Sequence, residues 1–262
     1  MAHEAASTNE PARPSGILLV DKPRGMHATS MDVCRQVKGS LFRAGWPKSL
    51  KVGHAGTLDP LASGLVIVLV GKATRLCEGL MGGEKEYLAQ VDLSMTSTTD
   101  DLEGVLSRVD VPSPPDAAAV RRALDAMTGT IMQRPPVHSA MKVDGRRAYT
   151  LARRGAIDEL PARPVLVHAI DLIDCTFPGL TLRVRCGRGT YIRSLARDLG
   201  RSLGVGGVLV ALRRTAIGPH RVERAVRLDA LDREGVVGRL IPFDPEADAA
   251  DGNEKGPPGG GP

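Results

Sequence analysis

The sequence predicts an α+β protein with a mostly antiparallel central sheet that is flanked by helices and loops. The chain has 262 residues, of which 42% are hydrophobic and 25% are charged, which is ordinary for a globular domain with a sizeable core. Strand-like segments dominate the middle of the chain. The predicted helices lie between them without the strict strand–helix alternation that is typical of a parallel sheet.

Three segments in the first third of the chain have clear hydrophobic patterns. Residues 16–20, GILLV, predict a short apolar strand. Residues 30–42 place apolar side chains at helical spacing, and we expect Ser30 to cap this helix. Residues 65–70, LVIVLV, form a continuous apolar run, which predicts a strand that is buried on both faces.

The middle of the chain combines strands with one helix. Residues 85–95 alternate between apolar and polar side chains, which predicts a strand with one apolar face. Residues 116–127 predict an amphipathic helix that Gly129 stops. The dipeptide Asp144-Gly145 is a strong signal for the turn of a β-hairpin.

Two further strands and a helix follow. Residues 164–177 and 180–186 have the pattern of strands. Residues 190–204 predict a helix, because apolar side chains recur at every third or fourth position from Ile192 onward. Gly204 is expected to end this helix.

The composition divides the chain into one ordered domain, residues 15–245, and two tails. Residues 1–14 are rich in alanine, proline, serine and glutamate, and residues 246–262 contain almost no apolar side chains. Neither segment can bury enough apolar surface to fold, so we expect both tails to be disordered.

The charge balance favours a polyanionic partner. The formal net charge is +5, with 35 lysines and arginines against 30 aspartates and glutamates. Aromatic residues make up only 3% of the chain, which argues against a binding face that stacks several bases on several rings.

The cysteines and the N-terminus favour a cytoplasmic protein. The four cysteines form no CxxC pair and have no zinc-ligand spacing, so we expect free thiols and no metal site. The N-terminus has neither a basic start nor an apolar run, and no segment approaches the roughly 20 apolar residues of a membrane-spanning helix.

One loop motif is the best candidate for a catalytic site. Residues 53–64, GHAGTLDPLASG, contain a single carboxylate, Asp59, among glycines and small residues, with His54 close by in the sequence. The glycines permit tight turns and close approach of a ligand to the backbone. An aspartate before Pro60 is also a common turn residue, so these residues alone leave both interpretations open.

Seven segments occur in one order along the chain, and together they carry a resemblance. The segments are VDKPRGMHATS (20–30), KVGHAGTLDPLASG (51–64), GKATR (71–75), KEYLAQVDL (85–93), QRPPVHSAMKVDGRRAY (133–149), GRGTYIRSLARDLG (187–200) and LRRTAIG (212–218). The chain resembles the TruB family of tRNA pseudouridine synthases over roughly residues 16–245.

The resemblance implies an isomerase with the pseudouridine synthase fold, which converts uridine 55 in the T loop of tRNA to pseudouridine without a cofactor. It implies that Asp59 is the catalytic carboxylate, acting either as a nucleophile or as a base at C2′. Arg193 matches the arginine that pairs with it, and a guanidinium fork can hold a carboxylate by two parallel hydrogen bonds. The implied substrate-binding residues are Tyr87, Tyr191 and Leu212 around the flipped-out uracil, and His54, which supports the rearranged T loop.

The arginines near the GTYIRSLA segment predict phosphate contacts. Arg183 and Arg185 alternate on one strand face, and Arg197 and Arg201 share one helix face. By the resemblance, the expected partner is the T stem-loop of tRNA, and we expect no membrane, no obligate protein partner and a monomeric enzyme.

Two alternatives remain, and the chain departs from the family pattern at several positions. The alternatives are an RNA-binding or tRNA-folding protein that has lost catalysis, and a guide-RNA-type synthase acting on rRNA. The chain carries two extra residues, His27-Ala28, in its first motif. It also continues into a Gly/Pro-rich tail where many family members have a PUA-type RNA-binding domain.

Overall fold

The computed structural model describes residues 13–25, 29–139, 141–143, 146–152, 157, 159–231 and 235–243. The strands are β1 (Gly16–Lys22), β2 (Val52–His54), β3 (Ser63–Val70), β4 (Lys85–Asp92), β5 (Met95–Ser97), β6 (Leu106–Arg108), β7 (Gly129–Gln133), β8 (Lys142–Val143), β9 (Arg146–Arg147), β10 (Arg163–Thr176), β11 (Gly179–Cys186), β12 (Val208–Ile217), β13 (His220–Arg221), β14 (Val226–Arg227) and β15 (Ile241–Pro242). The α-helices are α1 (Ser30–Arg43), α2 (Cys77–Gly82), α3 (Ala117–Asp125), α4 (Ala148–Ala152) and α5 (Ile192–Leu203), and short 3-10 helices cover Gly71–Leu76, Val222–Arg224, Leu228–Ala230 and Val237–Arg239.

One large sheet organises the described residues. Its main path runs β14-β1-β3-β12-β4-β11-β10-β7, with β13 on β12, β15 on β1 and β2 on β3. The pairs β1/β14 and β3/β12 are parallel, and the other described pairs of this sheet are antiparallel. The predicted α+β class with a mostly antiparallel sheet is confirmed.

The predicted two-sided burial of β3 is confirmed. Its residues alternate between two apolar clusters, one that also contains the inner face of α1 and one on the opposite side of the sheet. From Leu65 to Val70 no residue is more than 1% exposed. This rigid strand follows the Asp59 loop directly and fixes its C-terminal end.

The start of α1 differs from the prediction. Thr29, not Ser30, is the N-cap, and it forms a capping box with Asp32. Ser30 is buried, and its hydroxyl bonds to the backbone of Leu58 instead. Both residue types can cap a helix, and the tertiary contact decides which one does.

A second core lies under the other half of the sheet. Helix α5 packs against β12 and α3, and α3 also contacts β10. The apolar stripes of both helices belong to one cluster with side chains of β4 and β11. Asp116 caps α3, which ends at Asp125 with Ala126 as its C-cap, so the prediction that Gly129 stops this helix is wrong, and Gly129 instead begins β7. Gly204 ends α5 in the left-handed conformation, as the sequence predicts. The alternating segment 85–95 is a strand only to Asp92, and after a turn Met95 begins the separate strand β5.

Several predictions concern residues outside the described part. The hairpin of β8 and β9 is present, but Asp144-Gly145 lie outside the described residues, as do His27-Ala28. The same holds for the predicted tails, apart from residues 13 and 14. No helix in the described part of the chain is both long enough and apolar enough to cross a lipid bilayer.

Candidate active site

The Asp59 loop connects β2 to β3, and neighbouring elements hold it in place. The hydroxyl of Ser30 accepts a hydrogen bond from the backbone N–H of Leu58 at 2.8 Å and donates one to its carbonyl at 3.3 Å. The ammonium of Lys22 donates to the carbonyl of Pro60 at 3.1 Å. The carboxylate of Asp59 is therefore presented from a loop with fixed ends.

Gly64 allows the loop to enter the sheet beside β12. Its φ is +104°, and a Cβ there would lie 2.2 Å from the backbone oxygen of Arg214. Only glycine satisfies both the conformation and the close approach. These two constraints explain why residue 64, the last residue of the motif, is a glycine.

Asp59 and Arg193 form an ion pair. The Nε atom of Arg193 lies 3.0 Å from an oxygen of Asp59, and the arginine side chain is only 7% exposed whereas that of Asp59 is 38% exposed. The Nε–H does not point at the carboxylate, so this contact is an ion pair and not an aligned hydrogen bond. The expected fork with two parallel hydrogen bonds is therefore wrong.

The rest of the Arg193 guanidinium faces partners that sequence reasoning missed. Nη1 lies 3.3 Å from a carboxylate oxygen of Asp101, whose side chain is 8% exposed. Nη1 and Nη2 also donate to the backbone carbonyls of Thr99 and His138, at 3.5 and 3.2 Å. Arg193 is thus fixed by a buried acid and two carbonyls, and it presents Nε to the accessible carboxylate of Asp59.

A cavity of about 100 Å³ brings most of the predicted site residues together. A smaller recess of about 20 Å³ lies beside Asp59, Arg193 and Asp101. The larger cavity is lined by Asp59, Tyr87, Tyr191, Arg193 and Leu212, with Thr57, Leu58, Thr190 and Ile192.

The two tyrosines reach the cavity from different elements. Tyr87 lies on β4 and packs against both main apolar clusters. Burial raises the pKa of the Tyr87 phenol, and the positive charge of Arg214 opposes this effect. Tyr191 precedes α5, and its backbone N–H and carbonyl both bond to the side-chain amide of Gln133.

His54 does not line this cavity. It lies at the end of β2, and its carbonyl accepts a hydrogen bond from the thiol of Cys77 at 3.5 Å. Burial lowers the pKa of His54, and the charge of Arg214 lowers it further. The imidazole is therefore neutral at pH 7 and would meet RNA as an uncharged group.

Lys22 is a buried cation that sequence reasoning did not single out. Its side chain is 0% exposed. Burial lowers the pKa of Lys22 from 10.5 to about 8, although the charge of Asp59 acts in the opposite direction. Its position at the end of β1 could have been noted from the motif VDKPRG, but nothing in the sequence shows that the ammonium is buried.

The four predicted phosphate contacts separate into two kinds. Arg183 and Arg185 are exposed on one face of β11, and Arg201 is exposed on α5. Arg197 instead bonds to Asp198, Asp100 and the carbonyl of Arg134. All three nitrogens of its guanidinium are engaged within the protein, so a phosphate contact by Arg197 would compete with these bonds, and this contact stays a prediction.

A basic cavity lies at the other end of β3. It measures about 710 Å³ and is lined by Arg13, Lys51, Lys72 and Arg75, with no carboxylate among its lining residues. Eight residues of β3 separate it from the Asp59 loop, which corresponds to roughly 26 Å. The four cations are scattered along the sequence, so no local pattern indicates this surface.

The described residues offer no obvious place for a metal ion. Within them, no group of three or more histidine, cysteine, aspartate or glutamate side chains is arranged to hold one.

Comparison with known families and proteins gives consistent matches. The family model described as "TruB family pseudouridylate synthase (N terminal domain)" matches residues 44–192, and "tRNA pseudouridylate synthase B C-terminal domain" matches residues 193–237. A protein of Thermobifida fusca (strain YX) named tRNA pseudouridine synthase B is 49% identical over 230 residues, which cover 85% of this chain and 76% of that protein. A Burkholderia mallei (strain NCTC 10247) protein of the same name is 45% identical over 233 residues, covering 87% and 74%.

Solved structures support the same grouping. A chain in "Crystal Structure of a Cbf5-Nop10-Gar1 Complex" matches 83% of this chain with 32% identity and a TM-score of 0.62. This chain spans 54% of the length of that one. A chain in "Structure of H/ACA RNP bound to a substrate RNA containing 2'-deoxyuridine" matches 89% of this chain with 26% identity and a TM-score of 0.60, and 61% of that chain is covered. Together with the family matches, these similarities lead to one conclusion: the chain belongs to the TruB family of pseudouridylate synthases.

Proposed function

We propose that this protein is a tRNA pseudouridine synthase that isomerises uridine 55 in the T loop of tRNA. The observation that carries the proposal is the accessible carboxylate of Asp59, held beside buried Arg193 in a cavity that Tyr87, Tyr191 and Leu212 also line. The relatives named tRNA pseudouridine synthase B favour this function over a catalytically silent RNA-binding protein.

The reaction suits a site with one carboxylate. It breaks the C1′–N1 bond, turns the uracil and forms a C1′–C5 bond, while a proton leaves C5 and N1 gains one. Substrate and product contain the same atoms, so no oxidant, reductant or energy source is consumed. Asp59 acts as a nucleophile or as a base at C2′, and both routes require its charged form.

The surrounding side chains divide the remaining work. A base inside the folded T loop must be flipped out, which costs a few kcal/mol. Tyr87 and Leu212 provide an apolar surface against which the flipped uracil packs, and Tyr191 closes the cavity near Asp59. Because burial raises its pKa, Tyr87 stays protonated at neutral pH and serves as a stacking surface and hydrogen-bond donor rather than as a base.

The exposed cations provide the RNA surface. Arg183, Arg185 and Arg201 contact phosphates of the T stem-loop, and the basic cavity with Lys72 and Arg75 adds positive charge at the other end of β3. His54 supports the bound T loop as a neutral side chain. We expect the enzyme to act as a monomer in the cytoplasm.

The decisive experiment replaces Asp59 by asparagine. Asp59→Asn keeps the shape of the side chain but removes its charge, so we expect tRNA binding without release of tritium from C5-labelled uridine. Asp171→Asn is the matched control, because Asp171 is an exposed aspartate on β10. Tritium release by Asp59→Asn at a rate near that of the wild type would refute the assignment.

The position of the modified base needs a separate substrate. A tRNA transcript in which cytidine replaces uridine 55 should release no tritium with the wild-type enzyme. Release from this transcript at the normal rate would show that another uridine is the target.

A further inference from the structure

We propose that Arg214 is a positioning residue of the reaction, which sets the place of Asp59 by holding the backbone of its loop. The inference rests on the proposed function. Arg214 lies on β12 and is 1% exposed, and its guanidinium is directed into the loop that carries Asp59.

Three hydrogen bonds join the Arg214 guanidinium to this loop and to the strand behind it. Nη2 donates to the carbonyl of Gly56 at 3.2 Å and Nη1 to that of Thr57 at 3.3 Å. Nε donates to the carbonyl of Leu65 at 2.8 Å. The three bonds span Asp59 from both sides along the chain, so they fix the loop relative to β3.

The backbone of Arg214 also lies between two strands that carry residues of the site. It pairs with Gly64 of β3 on one side and with Tyr87 of β4 on the other. A single residue therefore aligns the loop and the tyrosine that face each other across the cavity. A shift of Arg214 would move both walls of the site.

Among the described residues, no negatively charged side chain pairs with the charge of Arg214. No carboxylate of the described part forms an ion pair with it, and three carbonyl dipoles are its hydrogen-bond acceptors. Burying a charge without an ionic partner is costly. The same positive charge acts to lower the pKa of four neighbouring groups, namely Lys22, His54, Lys85 and Tyr87.

The geometry requires arginine in particular. A guanidinium offers five N–H groups in a rigid plane, whereas an ammonium is a compact point charge on a flexible stem. Lysine at this position would keep the charge but could not reach the three carbonyls in the same fixed arrangement. The loop would then hold Asp59 less precisely against Arg193.

The test compares Arg214→Lys with Arg213→Lys. Arg213 is the neighbouring residue, its side chain is 39% exposed, and it bonds to Asp21 on β1 rather than to the loop. A displacement of about 1 Å in a catalytic group can lower a rate about 100-fold. We expect such a loss in the single-turnover rate of Arg214→Lys, with little change in the Kd for tRNA, and neither change in Arg213→Lys.

A chemical rescue separates positioning from general stability. Arg214→Ala leaves space for a small cation, so added guanidinium should restore part of its turnover, whereas ammonium at the same concentration should not. The thermal unfolding temperature of each variant is measured under the same conditions. Rescue of the rate without a matching rise in this temperature supports positioning.

Three results would overturn the proposal. Arg214→Lys could turn over at the wild-type rate, or it could lose binding and turnover in equal proportion. If the variants do not fold, hydrogen exchange of the wild-type peptide 55–62 decides, and exchange as fast as that of an exposed loop excludes a held loop. An inactive wild-type enzyme would instead refute the proposed function, so the two failures are distinguishable.

Discussion

Replacing Arg193 by methionine tests how much the buried ion pair between Arg193 and Asp101 contributes to the free energy of unfolding. The side chains of Arg193 and Asp101 are 7% and 8% exposed, and their charged atoms lie 3.3 Å apart. Removing one member of a buried ion pair costs about 3–5 kcal/mol, because the other charge stays buried without a partner. We expect Arg193→Met to lower the free energy of unfolding by this amount. Asp59 contributes little, since its carboxylate is open to water.

The double variant isolates the contribution of the ion pair. Asp101→Asn removes the second charge but keeps an oxygen for the bonds from Thr99 and Glu103. Arg193→Met with Asp101→Asn should therefore be less destabilised than the sum of the two single variants. Coupling between residues in contact reaches about 0.5–3 kcal/mol, and burial on both sides predicts the upper part of this range.

Urea unfolding of the free protein at pH 7, followed by circular dichroism, measures all four free energies. Arg183→Met is the matched control, because Arg183 is exposed on β11, and its effect should stay within about 0.5 kcal/mol. If the effects of the two single variants add within about 0.5 kcal/mol, the pair is not coupled and the reasoning from burial fails.

Two further predictions concern charge and pH. The folded-state pKa of Lys22 is lowered to about 8 from 10.5, so the folded protein binds fewer protons than the unfolded one between these values. The free energy of unfolding of the wild type should therefore rise with pH in that window relative to Lys22→Met, by up to about 3 kcal/mol, and parallel curves in urea titrations would contradict this. Arg201→Ala should reduce the salt dependence of tRNA affinity by about 0.7–0.9 in the log–log slope, whereas Arg197→Ala should leave that slope unchanged. Equal flattening in both variants would show that Arg197 leaves its internal partners to bind RNA.

Segments with a strong pattern could be predicted from the sequence alone. The uninterrupted apolar run of β3 and the stripe of α5 with its terminal glycine match the structure closely. The meeting of Asp59, Tyr87 and Arg193 at one cavity was expected from the family resemblance and not from spacing, since their elements are far apart in the chain.

The missed residues share a physical reason. Strand alternation places Arg213 and Arg214 on opposite faces of β12, but it does not show which face is covered by the Asp59 loop. Asp101 follows a short strand, and only the folded chain brings it to Arg193. The predicted N-cap of α1 is wrong for the same reason, because the hydroxyl of Ser30 accepts a hydrogen bond from the backbone N–H of Leu58.

The large sheet has two halves, β14-β1-β3 and β12-β4-β11-β10-β7, which meet where β3 pairs with β12. Strand β12 pairs with β4 over most of its length, but its register with β3 covers only Ser63–Arg213 and Gly64–Arg214. Across this boundary Asp59 belongs to one half and Arg193 to the other, and each half has its own apolar cluster. Tyr87 and Leu212 pack against both clusters, and the Arg214 side chain bonds across the boundary to Gly56, Thr57 and Leu65, so a local opening here would disturb the cavity first. The part of the molecule that must remain closed for catalysis is smaller than the part that unfolds cooperatively, so we expect inactivation on heating to precede the loss of the fold.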